Sequence, residues 1–303
     1  MKTMLLLGSL STDQGEAAAI DEMSKFVASA IDRPEEVQLR WCHLDELAFV
    51  VNNEDAQIYD MHNDVPLTAY DLVFFRGKLR SAVNHVALAS YFLHKQGVPS
   101  VNTVYKKWRA VGKVAQMFQM RDAGLPIIDT VSSSAKYLPE LVAKHLHYPV
   151  VVKDVHGGHG HHNFLIDDEA ALQKVLFDHP DLRFMAQTFV PNDGDYRLLF
   201  VGKETRIILR KGSDNSHLNN TSQGATASLA PIESVSEEII TMARHFAQEC
   251  NYEFAGVDVM QDSKTGKYYF LEINSQPQIA TGAFVSEKST IVGNFFREQL
   301  GIE

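Results

Sequence analysis

Cysteine is nearly absent from this 303-residue sequence: there are two, Cys42 and Cys250, far apart. So few thiols rule out a disulfide framework and fit a reducing, cytoplasmic setting. Positive charge is also short, with 28 Lys and Arg against 38 Asp and Glu and a net charge of −10. A nucleic-acid surface needs a basic excess to neutralise phosphates, so that class is excluded, although a local positive cleft for a phosphorylated ligand is not. Long apolar runs are missing as well. None approaches the roughly 20 residues of a membrane span. The opening MKTMLLLGSL lasts about one strand length before the polar STDQGE, too short for the apolar core of a signal peptide. Neither a GxxxxGK[ST] phosphate loop nor a three-glycine dinucleotide fingerprint occurs, and GSLSTDQGE reads as a plain strand-to-helix turn. There is no internal repeat and no low-complexity linker. The expectation is a cytoplasmic protein with neither a membrane nor a nucleic acid as partner.

What the chain does contain is apolar material for several cores, 45% hydrophobic and 10% aromatic. Its length exceeds one ordinary core, which predicts two or three domains in series. Strands at 4–8, 37–41, 71–76 and 98–102 alternate with helices at 16–31 and 82–95, the pattern of parallel βαβ units. Helices follow at 109–123, 138–147 and 168–177; Gly124 and Pro126 stop the first, and a strand after Pro149 carries Lys153. From residue 183 the texture turns to paired strands, at 183–190, 196–201 and 205–210, with Gly202-Lys203 as a turn. A helix at 236–250 precedes strands at 255–261 and 267–274. These shifts divide the chain into 1–102, 103–185 and 186–303.

Two stretches carry chemistry. In VVVKDVHGGHGHHN, residues 150–163, an apolar strand delivers Lys153, and then His156, His159, His161 and His162 crowd among Gly157, Gly158 and Gly160. Glycines let backbone approach phosphate oxygens, whereas histidines are common metal ligands. The stretch alone leaves both possibilities open, though zinc sites want ligands fixed by regular structure or by recurring Cys/His spacing.

The second stretch is AGVDVMQDSKTGKYYFLEIN, residues 255–274, in which DSKTG is a turn between two β-rich runs. A hairpin symmetric about Thr265 sets Asp258 opposite Glu272, with Asn274 on the same face as Glu272. Opposed carboxylates cost stability unless something positive sits between them, and oxygen-only ligands suit Mg²⁺. The plain alternative is a hairpin whose acids face solvent. Against it, FLEIN continues apolar on the opposite face, leaving the acids to line a cleft.

Five motifs in order then resemble the ATP-grasp superfamily, and most closely its RimK-type amino-acid ligases: RAVGKVAQMFQMRDAGLP, YPVVVKDVHGGHG, FMAQTFVPNDGDYRLLFVG, ILRKGSDNSHLNNTSQGATAS and AGVDVM…YFLEINSQP. The similarity runs from about Lys113 to Asn274. It implies an α/β (α+β) ATP-grasp fold, with an N-terminal parallel α/β pre-ATP-grasp domain and two lobes clamping ATP. It also implies an ADP-forming ligase that builds a peptide-type bond through an acyl-phosphate. Lys113 and Lys153 would hold the α- and β-phosphates, as compact ammonium groups suit phosphate charge. His156, Gly157, Gly158, His159 and Gly160 would form the lid over the triphosphate, where histidine protonation could make ATP closure depend on pH near neutrality. Gln187, Thr188, Phe189 and Val190 would be the hinge, the backbone of Thr188 and Val190 reading the adenine edge while Phe189 packs. Asp195 would lie near the ribose or adenine. Asp258, Glu272 and Asn274 would bind two Mg²⁺, with Mn²⁺ able to substitute. Arg210 would face the transferred phosphate, joined by Lys211 as a second basic residue, and Asn220 would touch the metal or the acceptor. Read without the resemblance, Lys113 is a solvated helix lysine, 187–190 an ordinary core strand and Arg210 a surface strand arginine.

The resemblance fails on the substrate side. Leu218 stands where the founding ligase has arginine, Ser222-Gln223 where it has His-Arg, His162 where it has glycine, and SQPQIATGA where it has a Ser-Pro-Gly form. The implied partners are therefore ATP, an amino acid and a carboxylate-bearing peptide, protein or small molecule, in a homo-oligomer. The alternatives are a ligase making a small dipeptide or glutathione-like product, or a histidine-rich metal-binding protein.

Overall fold

The computed structural model describes residues 1–9, 16–51, 56–77, 79, 83–102, 112–157, 162–212 and 226–302. The chain opens with strand Lys2–Ser9 (β1), helix Glu16–Ile31 (α1) and strand Val37–His43 (β2). The short strands Leu47–Val51 (β3), Ala56–Asp60 (β4) and Val65–Pro66 (β5) form a small antiparallel sheet of their own. Strand Leu72–Gly77 (β6), helix Val83–Gln96 (α2) and strand Ser100–Val101 (β7) complete a four-stranded parallel sheet in the order β2-β1-β6-β7. Its central strands are buried on both faces, as the near-continuous apolar runs MLLL and LVFF require. The order reverses between β1 and β6, and their carboxyl ends therefore open a crevice.

Helix Lys113–Asp122 (α3), strand Thr130–Ser133 (β8), helix Leu138–His145 (α4), strands Val150–Asp154 (β9) and Asn163–Ile166 (β10), helix Glu169–Asp178 (α5) and strand Phe184–Thr188 (β11) come next. The strands pair antiparallel as β10-β9-β11-β8. In β9, Val150, Val152 and Asp154 are buried on one face, against the helices, so Lys153 must point to the other. Asp168 caps α5 by accepting from the Ala171 N–H at 2.8 Å, so this helix begins one residue later than its polar sequence suggests.

Strands Asp195–Val201 (β12), Glu204–Lys211 (β13) and Thr226–Ala230 (β14), helix Glu237–Glu249 (α6), strands Phe254–Gln261 (β15) and Tyr268–Asn274 (β16) and helix Val285–Leu300 (α7) finish the chain. The five strands order as β14-β13-β12-β15-β16, all antiparallel. Ile239, Ala243, Phe246 and Ala247 of α6 pack on one face of this sheet, in one core with Met117 and Met120 of α3. The final helix turns back to the first unit. Its Ile291, Val292, Phe295 and Phe296 join Met23, Val27 and Phe74, and Gly293 lies so close to α1 that a Cβ would stand 1.9 Å from the Ala30 carbonyl oxygen. The strands of β3–β5, β8, β10 and β14 were not foreseen because they are short and carry no long apolar alternation. The last helix does carry a 3.6-residue apolar period, which sequence reading could have found. Among the described residues no helix is long and apolar enough to cross a membrane.

Candidate active site

The open face of the five-stranded sheet gathers an ion cluster whose order is set by strand register. Asp195 pairs with Arg210, Arg197 with Asp258, and Asp258 with Glu272. The hairpin is symmetric about Thr265 only on the side of Asp258: a bulge between Asp258 and Val259 places Phe270, not Leu271, opposite Val259. Arg197 donates from Nε and Nη2 to the two oxygens of Asp258, both at 2.7 Å. Arg210 donates from Nε to Asp195 at 2.5 Å, and its Nη2 lies 2.9 Å from Asp258. Burial raises the cost of charge on Asp258, but the two guanidinium groups overcome it and hold its carboxyl well below the usual range. Asp195 is the less favoured acid: burial outweighs Arg210, and the charge of Asp258 adds to it, raising Asp195 to about 6. Its carboxylate, expected beside the ribose or adenine, lies against Arg210. Arg210 is buried within this cluster and is not a surface residue.

Glu272 completes the row differently. Its side chain stays 40% exposed towards the cleft, 3.9 Å from Arg197 Nη2. Burial and then the charge of Asp258 raise its pKa, while Arg197, Lys113 and Lys153 pull the other way. The charges of the two lysines expected at the phosphates thus act on the carboxylate strand. Lys153 donates to Gln187 Oε1 at 2.9 Å, and burial holds its pKa down despite Glu272. Lys113 donates to the carbonyls of Asp154, at 2.8 Å, and Gly157. Asp154 folds the start of the glycine loop, accepting from the His156 N–H at 3.0 Å through Oδ1 and from the Gly157 N–H at 3.3 Å through its carbonyl. Gly158, His159, Gly160 and His161 lie outside the described residues, as do Asn220, Leu218, Ser222 and Gln223. Among the described residues no group of three or more His, Cys, Asp or Glu is arranged to hold a metal.

At the hinge, the Thr188 N–H is used by the Asp129 carbonyl at 3.2 Å and the Phe189 N–H by the Pro149 carbonyl at 3.2 Å. Hydrogen bonding at Thr188 would thus fall to its carbonyl. The Val190 carbonyl accepts from Asn192 Nδ2 at 3.0 Å and keeps a second lone pair. Val190 packs with Ile128 and Met260 in a small apolar cluster, against which Tyr269 and Leu271 also pack. Lys211, at the end of β13, is exposed.

Asp258, Glu272 and Asn274 offer oxygen alone, the donor set of a hard divalent ion. They fit one. Asp258 Oδ1 accepts a single N–H from Arg197, and burial and the charge of Asp258 keep the Glu272 carboxylate disfavoured despite Arg197, Lys113 and Lys153. Asn274 Oδ1 accepts from the Gln276 N–H at 2.8 Å and keeps one lone pair. Sequence reading missed Arg197, although it alternates with Asp195 on one face of β12. It also missed Gln116, whose amide donates to the Ile273 carbonyl at 2.9 Å and accepts its N–H at 3.2 Å.

The RimK-like ATP-grasp domain pattern matches residues 110–290, which hold this whole arrangement. The chain belongs to the RimK-like ATP-grasp family. It is accordingly an ATP-dependent, ADP-forming carboxylate–amine ligase. It is 24% identical over 206 residues to the alpha-aminoadipate–LysW ligase LysX of Saccharolobus solfataricus, covering 64% of this chain and 72% of that one. Against LysX of Sulfurisphaera tokodaii the identity is 28% over 162 residues, 51% of this chain and 55% of the relative. In fold it is similar to an ATP-grasp ligase from Chryseobacterium gregarium, solved with ADP and a leader and core peptide. The TM-score is 0.63 at 15% identity, covering 96% of each chain.

Proposed function

We propose that this ligase adds an amino acid to a peptide or protein terminus through an acyl-phosphate, using ATP and two Mg²⁺, for which Mn²⁺ can substitute. The observation that carries the reading is the Arg197–Asp258–Arg210 cluster on the sheet face, with Glu272 3.9 Å from Arg197 and the charges of Lys113 and Lys153 acting on it. The names of the relatives support a carrier protein or peptide as one partner. We divide the chain at 102/103, just past the parallel sheet's last strand at Val101, and at 185/186, a boundary that falls inside β11, which runs on to Thr188.

In this reading Lys113 and Lys153 neutralise the α- and β-phosphates, with the loop from His156 and Gly157 through His159 and Gly160 above them. The apolar cluster of Ile128, Val190, Met260 and Leu271 takes the adenine, and the hinge backbone reads its edge. Asp258, Glu272 and Asn274 would hold the Mg²⁺, which when bound would supply positive charge to neutralise the phosphates. Arg210, fixed by Asp195 and Asp258, presents a permanent planar charge towards the transferred phosphoryl group, with Lys211 and Asn220 on the substrate side. A substrate carboxylate oxygen attacks the γ-phosphorus and the bond to ADP breaks. The amine nitrogen then attacks the acyl carbon, phosphate leaves, and the amine releases a proton to solvent. The protein contributes position and charge, not covalent chemistry of its own.

The test is to incubate the protein with ATP, Mg²⁺ and mixtures of amino acids and short peptides, measuring ADP and searching by mass for adducts formed with loss of water. ADP release above background with a matching adduct is expected. If no mixture raises ADP release and Asp258→Asn changes nothing, the reading is wrong.

A further inference from the structure

Two buried cations next to this site are not used by the chemistry above. Arg76 ends β6 at the crevice between β1 and β6, 6% exposed, and the close β1–β6 approach there needs Gly8, where a Cβ would stand 2.0 Å from the Arg76 carbonyl. Its guanidinium donates to Gln276 Oε1 at 3.1 Å and to the Pro277 carbonyl at 2.6 Å. Lys288, on the first turn of α7 and 3% exposed, donates to the carbonyls of Gln278 at 3.0 Å and Thr281 at 2.7 Å. All four acceptors are neutral, and no carboxylate of the described residues lies within ion-pair distance of either group. Burial alone lowers Arg76 to about 10; burial and then Arg197 and Arg76 lower Lys288 to about 8, with only Glu287 opposing. Buried charge without a counter-ion is expensive, and in a chain of net charge −10 a shortage of acids does not explain it.

The place is close to the reacting centre. A Cβ at Gly256, the residue paired with Asn274, would stand 3.3 Å from Pro277 and 3.6 Å from the Arg197 side chain, so the segment that binds Arg76 packs against the cluster's edge. Gln276 binds Arg76 and the Gly77 N–H through one amide oxygen, at 3.1 and 3.2 Å, as a carboxylate oxygen would. The segment from Ser275 to Thr281 that carries these acceptors is where the sequence departs from the Ser-Pro-Gly form.

We propose that Arg76 and Lys288 form the subsite for a non-reacting carboxylate of the ligase substrate, which displaces the Gln276 amide from Arg76. The proposal rests on the ligase reading. It commits the substrate to a molecule with a second carboxylate beyond its reacting group: an amino acid bound through its α-carboxylate or a dicarboxylic acid.

Glutarate is a suitable probe, with glutaramide as its uncharged control, measured by calorimetry on the full chain with and without ATP–Mg²⁺. Saturable glutarate binding is expected, weakened about tenfold or more by Arg76→Met and by Lys288→Met. Arg76→Lys, which keeps the charge and loses the fork, should fall between. Glutaramide should not bind, ATP should not compete, and ATP affinity should stay within about twofold of wild type in every variant. Absence of saturable glutarate binding, equal binding to wild type and Arg76→Met, or displacement by ATP overturns the subsite. Failure of the ligase reading has a separate signature: no ADP release from any mixture, whatever glutarate does.

Discussion

The site has two charged flanks that solve the same problem in opposite ways. On the sheet face, Arg197 and Arg210 share Asp258, and Arg210 also binds Asp195, so each guanidinium meets a carboxylate across one or two strands. On the flank formed by β6, the loop after β16 and α7, Arg76 and Lys288 meet only amide and carbonyl oxygens. The compensated flank is built for rigidity, holding Arg210, Asp258 and Glu272 at fixed strand register before any ligand arrives. The uncompensated flank keeps positive charge in reserve. If the proposed roles hold, the difference separates machinery for ATP-driven acyl transfer from the part that selects what is transferred.

Removing the shared counter-charge should have the largest effect. Asp258→Asn leaves the buried Arg210 and the half-buried Arg197 with one carboxylate partner fewer and takes away a proposed metal donor. Breaking a buried ion network of this kind costs about 3–5 kcal/mol, read by urea unfolding, and ADP release should fall about a thousandfold. A variant that unfolds at the wild-type midpoint would show that the cluster is not the rigid flank described. The other flank should respond to pH instead. Lys288 falls from 10.5 to about 8 in the folded protein, so the unfolded chain holds its proton more tightly between those values. Its contribution to stability is present above 10.5 and lost as pH falls through about 8, a swing of about 3 kcal/mol at most. The difference in unfolding free energy between wild type and Lys288→Met should change across that window, and a constant difference would mean that burial, with Arg197 and Arg76, does not hold its charge down.

Lys153 lies between these extremes, half-buried and within the field of Glu272, with Gln187 as its hydrogen-bond partner. Lys153→Met should leave the melting temperature near that of wild type, because a depressed ammonium contributes little to the fold. It should weaken ATP about ten- to a hundredfold, equivalent to about 1.4–2.7 kcal/mol. Equal ATP affinity would remove Lys153 from the phosphates.

How much of this was legible depended on the sequence distance between partners. Asp258, Glu272 and Asn274 could be paired because the hairpin at 254–274 holds its own symmetry, and Lys153 stood out because it follows three consecutive valines in β9. Arg197 was missed since its partner is 61 residues away in β15, although its alternation with Asp195 was visible. Arg76 was beyond reach: its acceptors at Gln276 and Pro277 are 200 and 201 residues on, brought together only when the last helix folds back onto α1. The bulge after Asp258 had no local signal either, because both strands read as uninterrupted β sequence.

The smallest expected effect concerns the link between the phosphate lysines and the carboxylate strand. Gln116 lies one turn after Lys113 on α3, and its side-chain amide makes two bonds with the backbone of Ile273, between Glu272 and Asn274. Gln116→Leu keeps the volume roughly and leaves one backbone N–H and one carbonyl without that partner, a loss of about 1–2 kcal/mol. If the compensated flank works by pre-set geometry, the KM for ATP should rise about two- to fivefold while the melting temperature drops by only a few degrees. Stability lost with no change in that KM would mean that α3 positions Lys113 through its apolar contacts at Met117 and Met120, and that the clasp on β16 serves the fold alone.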